Sequence, residues 1–360
     1  MLDFLQIILI LMVIPTAIMS SGPFRQRYES LILLFLYTYH LFFALIFYQI
    51  PSDSLAFYSY AAENLDTFNF HAAPGLQFIH YLVYICIKYL HLSYTGTFLI
   101  FSSLSFLGFW ILFNIVQTYK IKYLWLILLI PSLHFWTQGL GKDSISFFFI
   151  SVLIYGAIKN KLHIILLGLT GLFYARPHIA AMFGSIYVFT SLVNSNINFI
   201  TKLLITIVSS LLAWLTLDFV LQYLNSENIL DIYDFALLMQ GQNAYGQSSY
   251  NVADSSIMFQ LFTFLFRPLF EQLNLFYFLA SFDNLIYLSI FLYTILNIKF
   301  IKLKNDANIY LILSFIVFCL LLAFTLGNLG LALRQKIMIM PFLLIIYAEL
   351  RAEKRKINKL

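Results

Sequence analysis

Long apolar runs recur along almost the whole 360-residue chain, and few charged side chains interrupt them. Hydrophobic residues make up 61% of the sequence and charged residues only 10%, whereas about a quarter of the residues in a soluble domain are charged. Such a chain cannot be a soluble globular protein, a disordered chain or a typical nucleic-acid binder, despite its net charge of +5. Because about 20 apolar residues cross a bilayer, the sequence predicts an all-α polytopic membrane protein.

Apolar runs bounded by turn residues predict about eleven transmembrane helices. The runs are 2–19, 31–50, 96–117, 123–137, 144–158, 162–175, 177–193, 202–222, 273–298, 308–326 and 335–350. Two further runs are weaker. The run 76–92 carries several His, Tyr and Lys residues, which favours a helix lying in the membrane interface. The run 257–266 leads into Arg267-Pro268, where a helix breaks, and we interpret it as a short re-entrant helix.

The basic residues predict the orientation, because short cytoplasmic loops are enriched in Lys and Arg. Basic residues occur in 20–30, 118–122, 159–161, 194–202, 299–307 and the tail 351–360. All six can be cytoplasmic only if 76–92 and 257–266 do not cross the membrane, and the chain then starts outside and ends inside. The sequence then predicts one integral membrane domain over 1–360, with two long outer loops at 51–95 and 223–272 and a basic cytoplasmic tail.

Six basic residues break this rule, because they fall on the predicted outer side at the ends of spans. They are Lys88, Lys142, Arg176, Arg267, Arg334 and Lys336. Charges at membrane depth are costly and often functional, and arginine matches phosphate with paired hydrogen bonds. We therefore expect several of them to converge on one anionic ligand. Each has a simpler interpretation as the partner of an outer carboxylate or as a residue that reaches the lipid headgroups, which we prefer for Lys88 and Lys336.

Three outer residues are candidates for acid–base chemistry. Asp53 begins the first outer loop, where it is either a general base or a helix N-cap. Glu63 follows on the same predicted helix. His178, two residues after Arg176, is either an acid–base group near phosphate or a hydrogen-bonded interfacial histidine.

Polar residues of the second outer loop suit carbohydrate binding, although a flexible polar loop has the same composition. The candidates are Gln240, Gln242 and Tyr245. No histidine spacing indicates a metal site, and the two cysteines, Cys86 and Cys319, lie in apolar runs and indicate no thiolate site. The sequence therefore indicates no metal or other cofactor.

Four segments together resemble bacterial polysaccharide repeat-unit polymerases, the O-antigen and capsule polymerases. They are PSLHFWTQGLGKDSISFFFISVLIYG, YARPHIA, FLFRPLFEQ followed by LASFDNL, and GNLGLALRQKIMIMPF. The resemblance covers about residues 96–350, and more widely the chain is similar to membrane glycosyltransferases of the GT-C type. The position of Asp53 in the first outer loop is similar to the acidic residue of that fold, but the usual acidic dipeptide is missing.

The resemblance implies a reaction between two lipid-linked oligosaccharides in the inner membrane of a bacterium. An acceptor sugar hydroxyl attacks the anomeric carbon of a glycan carried on undecaprenyl diphosphate, and the lipid diphosphate leaves. Arg176, Arg267 and Arg334 would hold the diphosphate with support from Lys142, and Asp53, Glu63 or His178 would be the base. The implied partners are the lipid-linked donor and acceptor, membrane lipids and a chain-length regulator protein, with no nucleic acid.

Two other functions remain open at this point. A flippase or transporter for lipid-linked oligosaccharide would also need cations around a cavity, although here they lie near the outer ends of spans and not at the midplane. An O-antigen ligase or another GT-C glycosyltransferase would need similar residues. Acyltransferase chemistry is not supported, because no His-Asp pair lies at a cytoplasmic entrance.

Overall fold

The structure is a computed structural model, and all regular elements of its described residues are helices. The described residues are 2–21, 27–50, 52–66, 73–193, 198, 200, 202–203, 206–207, 255–271, 275–301, 306–325 and 327–358. The prediction of an all-α protein is confirmed. The chain forms two compact units, Met1–Pro177 and His178–Leu360.

The first unit contains eight α-helices and one 3-10 helix among its described residues. They are α1 (Leu2–Ser20), α2 (Arg27–Tyr48), α3 (Asp53–Glu63), α4 (Leu76–Lys88), α5 (Tyr94–Thr118), a 3-10 helix (Leu124–Leu129), α6 (Pro131–Trp136), α7 (Lys142–Lys159) and α8 (Leu162–Ala175). The helices α3 and α4 lie within the segment predicted as the first outer loop.

The second unit is built around stacked aromatic rings. Its helices are α9 (Pro177–Val193), α10 (Ile257–Phe266), α11 (Leu275–Asn297), a 3-10 helix (Ile298–Phe300), α12 (Asp306–Thr325), α13 (Leu329–Gln335), a 3-10 helix (Lys336–Met338) and α14 (Met340–Ile357). The ring of Phe183 on α9 stacks on Phe318 of α12 and on Phe342 of α14, each with centroids 5.1 Å apart. All three side chains are fully buried.

Five of the described helices are long and apolar enough to cross a membrane, and a sixth crossing is possible if one bent pair forms a single span. The five segments are Asp3–Ser20, Tyr28–Tyr48, Tyr94–Thr118, Leu275–Phe300 and Asp306–Phe324. The pair joins Leu329–Met338 to Met340–Ile357 with a bend of 53°. These helices support a membrane protein. The predicted span 202–222 lies almost wholly outside the described residues.

Several shorter predicted segments are also helices. The run predicted as re-entrant, 257–266, is α10 with the same bounds. The run 76–92 forms the 13-residue helix α4, which is shorter than the roughly 20 residues that a span needs. The basic tail predicted at 351–360 continues α14 as helix to Ile357.

The run 123–137, predicted as one spanning helix, is not a continuous helix. It forms the 3-10 helix Leu124–Leu129, an extended residue at Ile130 and the six-residue helix α6. Pro131 occupies the first turn of α6, and its ring prevents a helix from continuing through this position. The break places His134 where a residue of another helix can reach it.

A buried polar network holds α6 against α2 and α5. The Nδ1 atoms of His40 and His134 lie 2.9 Å apart, and His134 Nε2 lies 2.7 Å from the carbonyl oxygen of Leu128. Gln138 donates to the carbonyl of His40 at 2.9 Å and accepts from Ser102 Oγ at 2.5 Å. The His40, Ser102, His134 and Gln138 side chains are fully buried, so these bonds satisfy groups that would be costly to bury unpaired.

The helices α7 and α8 pack closely because glycine lies between them. A Cβ atom at Gly168 would lie 3.0 Å from the backbone nitrogen of Leu153, and one at Gly156 would lie 2.9 Å from the backbone nitrogen of Ile165. Asn160 makes the short turn between the helices in a left-handed conformation. This hairpin brings the beginning of α7 and the end of α8 to the same end of the first unit.

Candidate functional site

The end of α8 lies against the start of α4, and α3 lies against the start of α7. The amide of Gly75, just before α4, donates to the carbonyl of Tyr174 at 2.7 Å. On the other side, a Cβ atom at Gly141 would lie 3.2 Å from the ring of Phe57 on α3. The small residue therefore lets α3 lie directly on the turn that begins α7.

Arg176 and Asp143 form a largely buried ion pair between the end of α8 and the start of α7. Arg176 Nη2 donates to Asp143 Oδ1 at 2.5 Å, and the two side chains are 16% and 8% exposed. Arg176 Nε has no hydrogen-bond partner in the described part of the chain. A guanidinium carries five N–H donors in a planar fork, so Asp143 leaves most of this donor capacity for another oxygen-bearing group.

Lys142 adds a second cation at the N-terminus of α7. The helix begins at Lys142, and its N-cap residue, Gly141, provides no side-chain cap. The N-terminus of a helix carries a partial positive charge, which favours a nearby anion. Two cations, one carboxylate and this helix end together leave a positive site that suits a phosphate or diphosphate.

The neighbouring helix α4 contributes His80, whose side chain is largely buried. The residue is 8% exposed, and its ring stacks on Tyr60 of α3 at a centroid distance of 4.1 Å and an angle of 26°. Burial lowers the pKa of His80 below its ordinary value of 6.5, and the nearby charge of Lys142 lowers it further. The imidazole is therefore neutral at pH 7. We call Tyr60, His80, Lys142, Asp143 and Arg176 the Arg176 cluster.

The two predicted carboxylate bases lie at opposite ends of α3. Asp53 is the first residue of the helix and Glu63 the last, and both are exposed. The prediction that Asp53 serves as the N-cap is wrong, because Ser52 occupies that position without a side-chain cap bond. Asp53 is one turn before Phe57 on the same helical face, since residues four apart are neighbours.

In the second unit, Arg267 and Lys336 lie next to each other. Arg267 donates from Nε to Glu271 at 2.6 Å and from Nη2 to the other carboxylate oxygen. Lys336 is 2% exposed and donates to Asn284 Oδ1 at 2.6 Å and to the carbonyl of Arg267 at 3.2 Å. The simpler interpretation of these residues, as partners of neighbouring polar groups, is therefore supported for both. Arg334 is half-buried on α13.

The structure thus brings together two of the four predicted diphosphate ligands, Arg176 and Lys142, in the first unit. Arg267 and Arg334 belong to the second unit, and His178 is its first residue. The predicted convergence of all three arginines stays a prediction. The predicted sugar-binding residues Gln240, Gln242 and Tyr245 lie outside the described residues.

Sequence reasoning missed the partner of Arg176 and the special position of His80. Asp143 precedes Arg176 by 33 residues, so no local sequence pattern contains this pair. The segment KDS lies at the start of one apolar run, and YARP lies at the end of the next. If the two runs form an antiparallel helical hairpin, these segments lie at the same end of it, and the ion pair becomes possible. For His80 the sequence offers only a histidine within an apolar helix.

Within the described part of the chain, no three His, Cys, Asp or Glu side chains come together as metal ligands would. No known family, curated protein or solved structure matches the chain. The function must therefore be argued from the residues themselves.

Proposed function

We propose that the protein is a glycosyltransferase that polymerises oligosaccharide repeat units carried on undecaprenyl diphosphate. It acts at the outer face of the inner membrane of a bacterium, with a GT-C-like arrangement of about eleven spans. Its N-terminus lies outside and its C-terminus in the cytoplasm. The single observation that carries the proposal is the pairing of Arg176 and Asp143 beside Lys142 and the uncapped start of α7.

This arrangement suits a leaving diphosphate. Negative charge develops on the phosphate oxygen as the bond to the sugar breaks, and fixed cations stabilise that charge most where water is scarce. Asp143 orients the guanidinium of Arg176 and offsets part of its charge, so a free diphosphate is held less tightly than it would be by two unpaired cations. Product release benefits from that offset.

The interfacial helices support a lipid-linked substrate. The carrier diphosphate of such a substrate lies at the headgroup level, between the acyl chains and water. The helices α3 and α4 are too short to span, and they contribute Tyr60 and His80 to the Arg176 cluster. A polyprenyl chain in the bilayer would then present its diphosphate to this end of the unit.

The test is chain extension by the purified protein in nanodiscs, supplied with undecaprenyl-diphosphate-linked repeat units. The expected product is a ladder of lipid-linked oligomers. Arg176→Ala should reduce its formation by at least tenfold while the protein still purifies as a folded species. A wild-type protein that extends no chains, yet moves labelled lipid-linked oligosaccharide between leaflets, would overturn the proposal in favour of transport.

In cells the same distinction is visible without purification. Loss of a polymerase leaves single repeat units displayed on the surface glycan, because export and attachment continue. Loss of a flippase leaves none outside. A deletion strain that displays single units supports polymerisation, and a strain that displays no units contradicts it.

A further inference from the structure

The buried histidine on α4 is neutral and its ring nitrogens are unoccupied. Neither nitrogen of His80 makes a hydrogen bond within the described part of the chain, and neither is fully sealed from solvent. A side chain that is 92% buried, by its 8% exposure, normally satisfies its polar atoms. An imidazole that makes no hydrogen bond to the described chain and lies near the charge of Lys142 is therefore available to a ligand.

The surroundings fix the orientation of this imidazole. Tyr60 stacks on one face of the ring, and the ring of Phe57 meets it edge-on at 5.8 Å. These contacts restrict the side chain without occupying either nitrogen. A neutral, oriented imidazole with a free lone pair can accept a proton, which is what a general base requires.

We propose that His80 is the general base of the glycosyl transfer, in place of the carboxylates on α3 or His178. This inference rests on the proposed function. The acceptor hydroxyl oxygen forms a bond to the anomeric carbon, and the bond from that carbon to the phosphate oxygen breaks with its electron pair. The hydroxyl proton passes to a nitrogen of His80 and from there to water. The charge left on the diphosphate faces Arg176 and Lys142.

The elements packed against α4 carry the charged and titratable groups that can influence His80. These are Asp53, Tyr58, Tyr60 and Glu63 on α3, Tyr94 on α5, and Tyr174 and Arg176 at the end of α8; Lys142, which begins α7, also acts on His80. Of these, Lys142 is close enough to lower the pKa of His80. Removing the charge of Lys142 should therefore move the pKa of His80 upward.

The experiment measures chain extension by the full-length protein in nanodiscs with lipid-diphosphate-linked repeat units. His80→Ala should lower the rate about 100-fold or more, within the usual range for a general base. Added imidazole should restore part of the rate by occupying the space left by the side chain. His91→Asn is the matched control, because His91 lies on the following turn with an exposed side chain and a left-handed backbone that asparagine adopts readily.

The pH profile separates a base from a structural residue. The wild-type rate should fall on the acid side, with a midpoint below pH 6.5, and Lys142→Met should move that midpoint to higher pH whatever it does to the maximal rate. His80→Gln should lack this acid limb. A structural role would lower the rate without moving the midpoint.

The outcomes distinguish the two proposals. A wild-type protein that extends no chains removes the proposed function and this inference with it. An active wild type with His80→Ala or His80→Gln within threefold of its rate overturns only the inference. A slow His80→Ala protein that imidazole does not rescue, combined with an acid limb that Lys142→Met leaves in place, overturns it as well.

Discussion

Arg176 and Asp143 should contribute to the free energy of unfolding with a large coupling energy, which a double-mutant cycle measures directly. Two unit charges 2.5 Å apart attract by about 7 kcal/mol at an effective dielectric constant near 20. Removing both ions from water costs several kcal/mol for each, so the net coupling is much smaller. With the side chains only 16% and 8% exposed, we expect a coupling energy of about 3 kcal/mol, the upper end of the range for residues in contact.

The variants are Arg176→Met, Asp143→Leu and the combination of both. Each single change leaves one charge buried without its partner, so each should lower the free energy of unfolding by about 3 to 5 kcal/mol. The double variant should lose about 3 kcal/mol less than the sum of the two single variants. The assay is reversible denaturant unfolding in mixed micelles, followed by tryptophan fluorescence.

The control is the Lys88–Asp66 pair, whose atoms lie 3.3 Å apart with side chains 41% and 95% exposed. Exposed pairs typically contribute below about 1 kcal/mol, so this cycle should give a coupling in that range. If the losses in unfolding free energy at Arg176 and Asp143 add, so that their coupling energy is as small as that of the control, then the two residues do not form a buried ion pair.

Three further substitutions test the packing of the first unit and the buried state of His80 by the same unfolding measurement. Gly168→Ala should cost about 1 to 3 kcal/mol, because its Cβ meets the backbone of Leu153. An unchanged stability would count against the close approach of α7 and α8. Gln138→Leu should cost about 1 to 3 kcal/mol, because it leaves buried groups without hydrogen bonds, and an unchanged stability would contradict the network. Burial lowers the pKa of folded His80, so the unfolded chain takes up the proton first. Stability should fall as the pH drops below about 6.5, and His80→Gln should remove that part of the slope; an identical slope in the variant would disprove it.

Much of the helical fold was accessible from apolar runs alone. The bounds of α10 agree with prediction, and α1, α5 and α11 follow their runs closely. Prediction failed at 123–137, because hydropathy averages over a window and does not register what a polar group finds in three dimensions. His134 is satisfied by His40, a residue 94 positions earlier, and no local pattern contains that partner.

The site was accessible only in part, for the same reason. Arg176 and Lys142 were found because they are exceptions to the topology that the basic loops predict. His80 combines burial, stacking on Tyr60 and ring nitrogens that make no hydrogen bond within the described residues. These properties depend on how α3 packs against α4. The hydrophobic pattern of either helix predicts where that helix lies in the sequence, but it does not predict how the two helices contact each other.

The hydrogen bond from the Gly75 amide to the Tyr174 carbonyl has a consequence for sequence drift. It joins main-chain atoms at 2.7 Å, so replacing side chains around it leaves it in place, with proline at position 75 as the exception because proline has no amide proton. The spacing between α4 and the end of α8 can thus persist while the side chains they display diverge. Related chains can therefore differ widely in sequence around an unchanged frame.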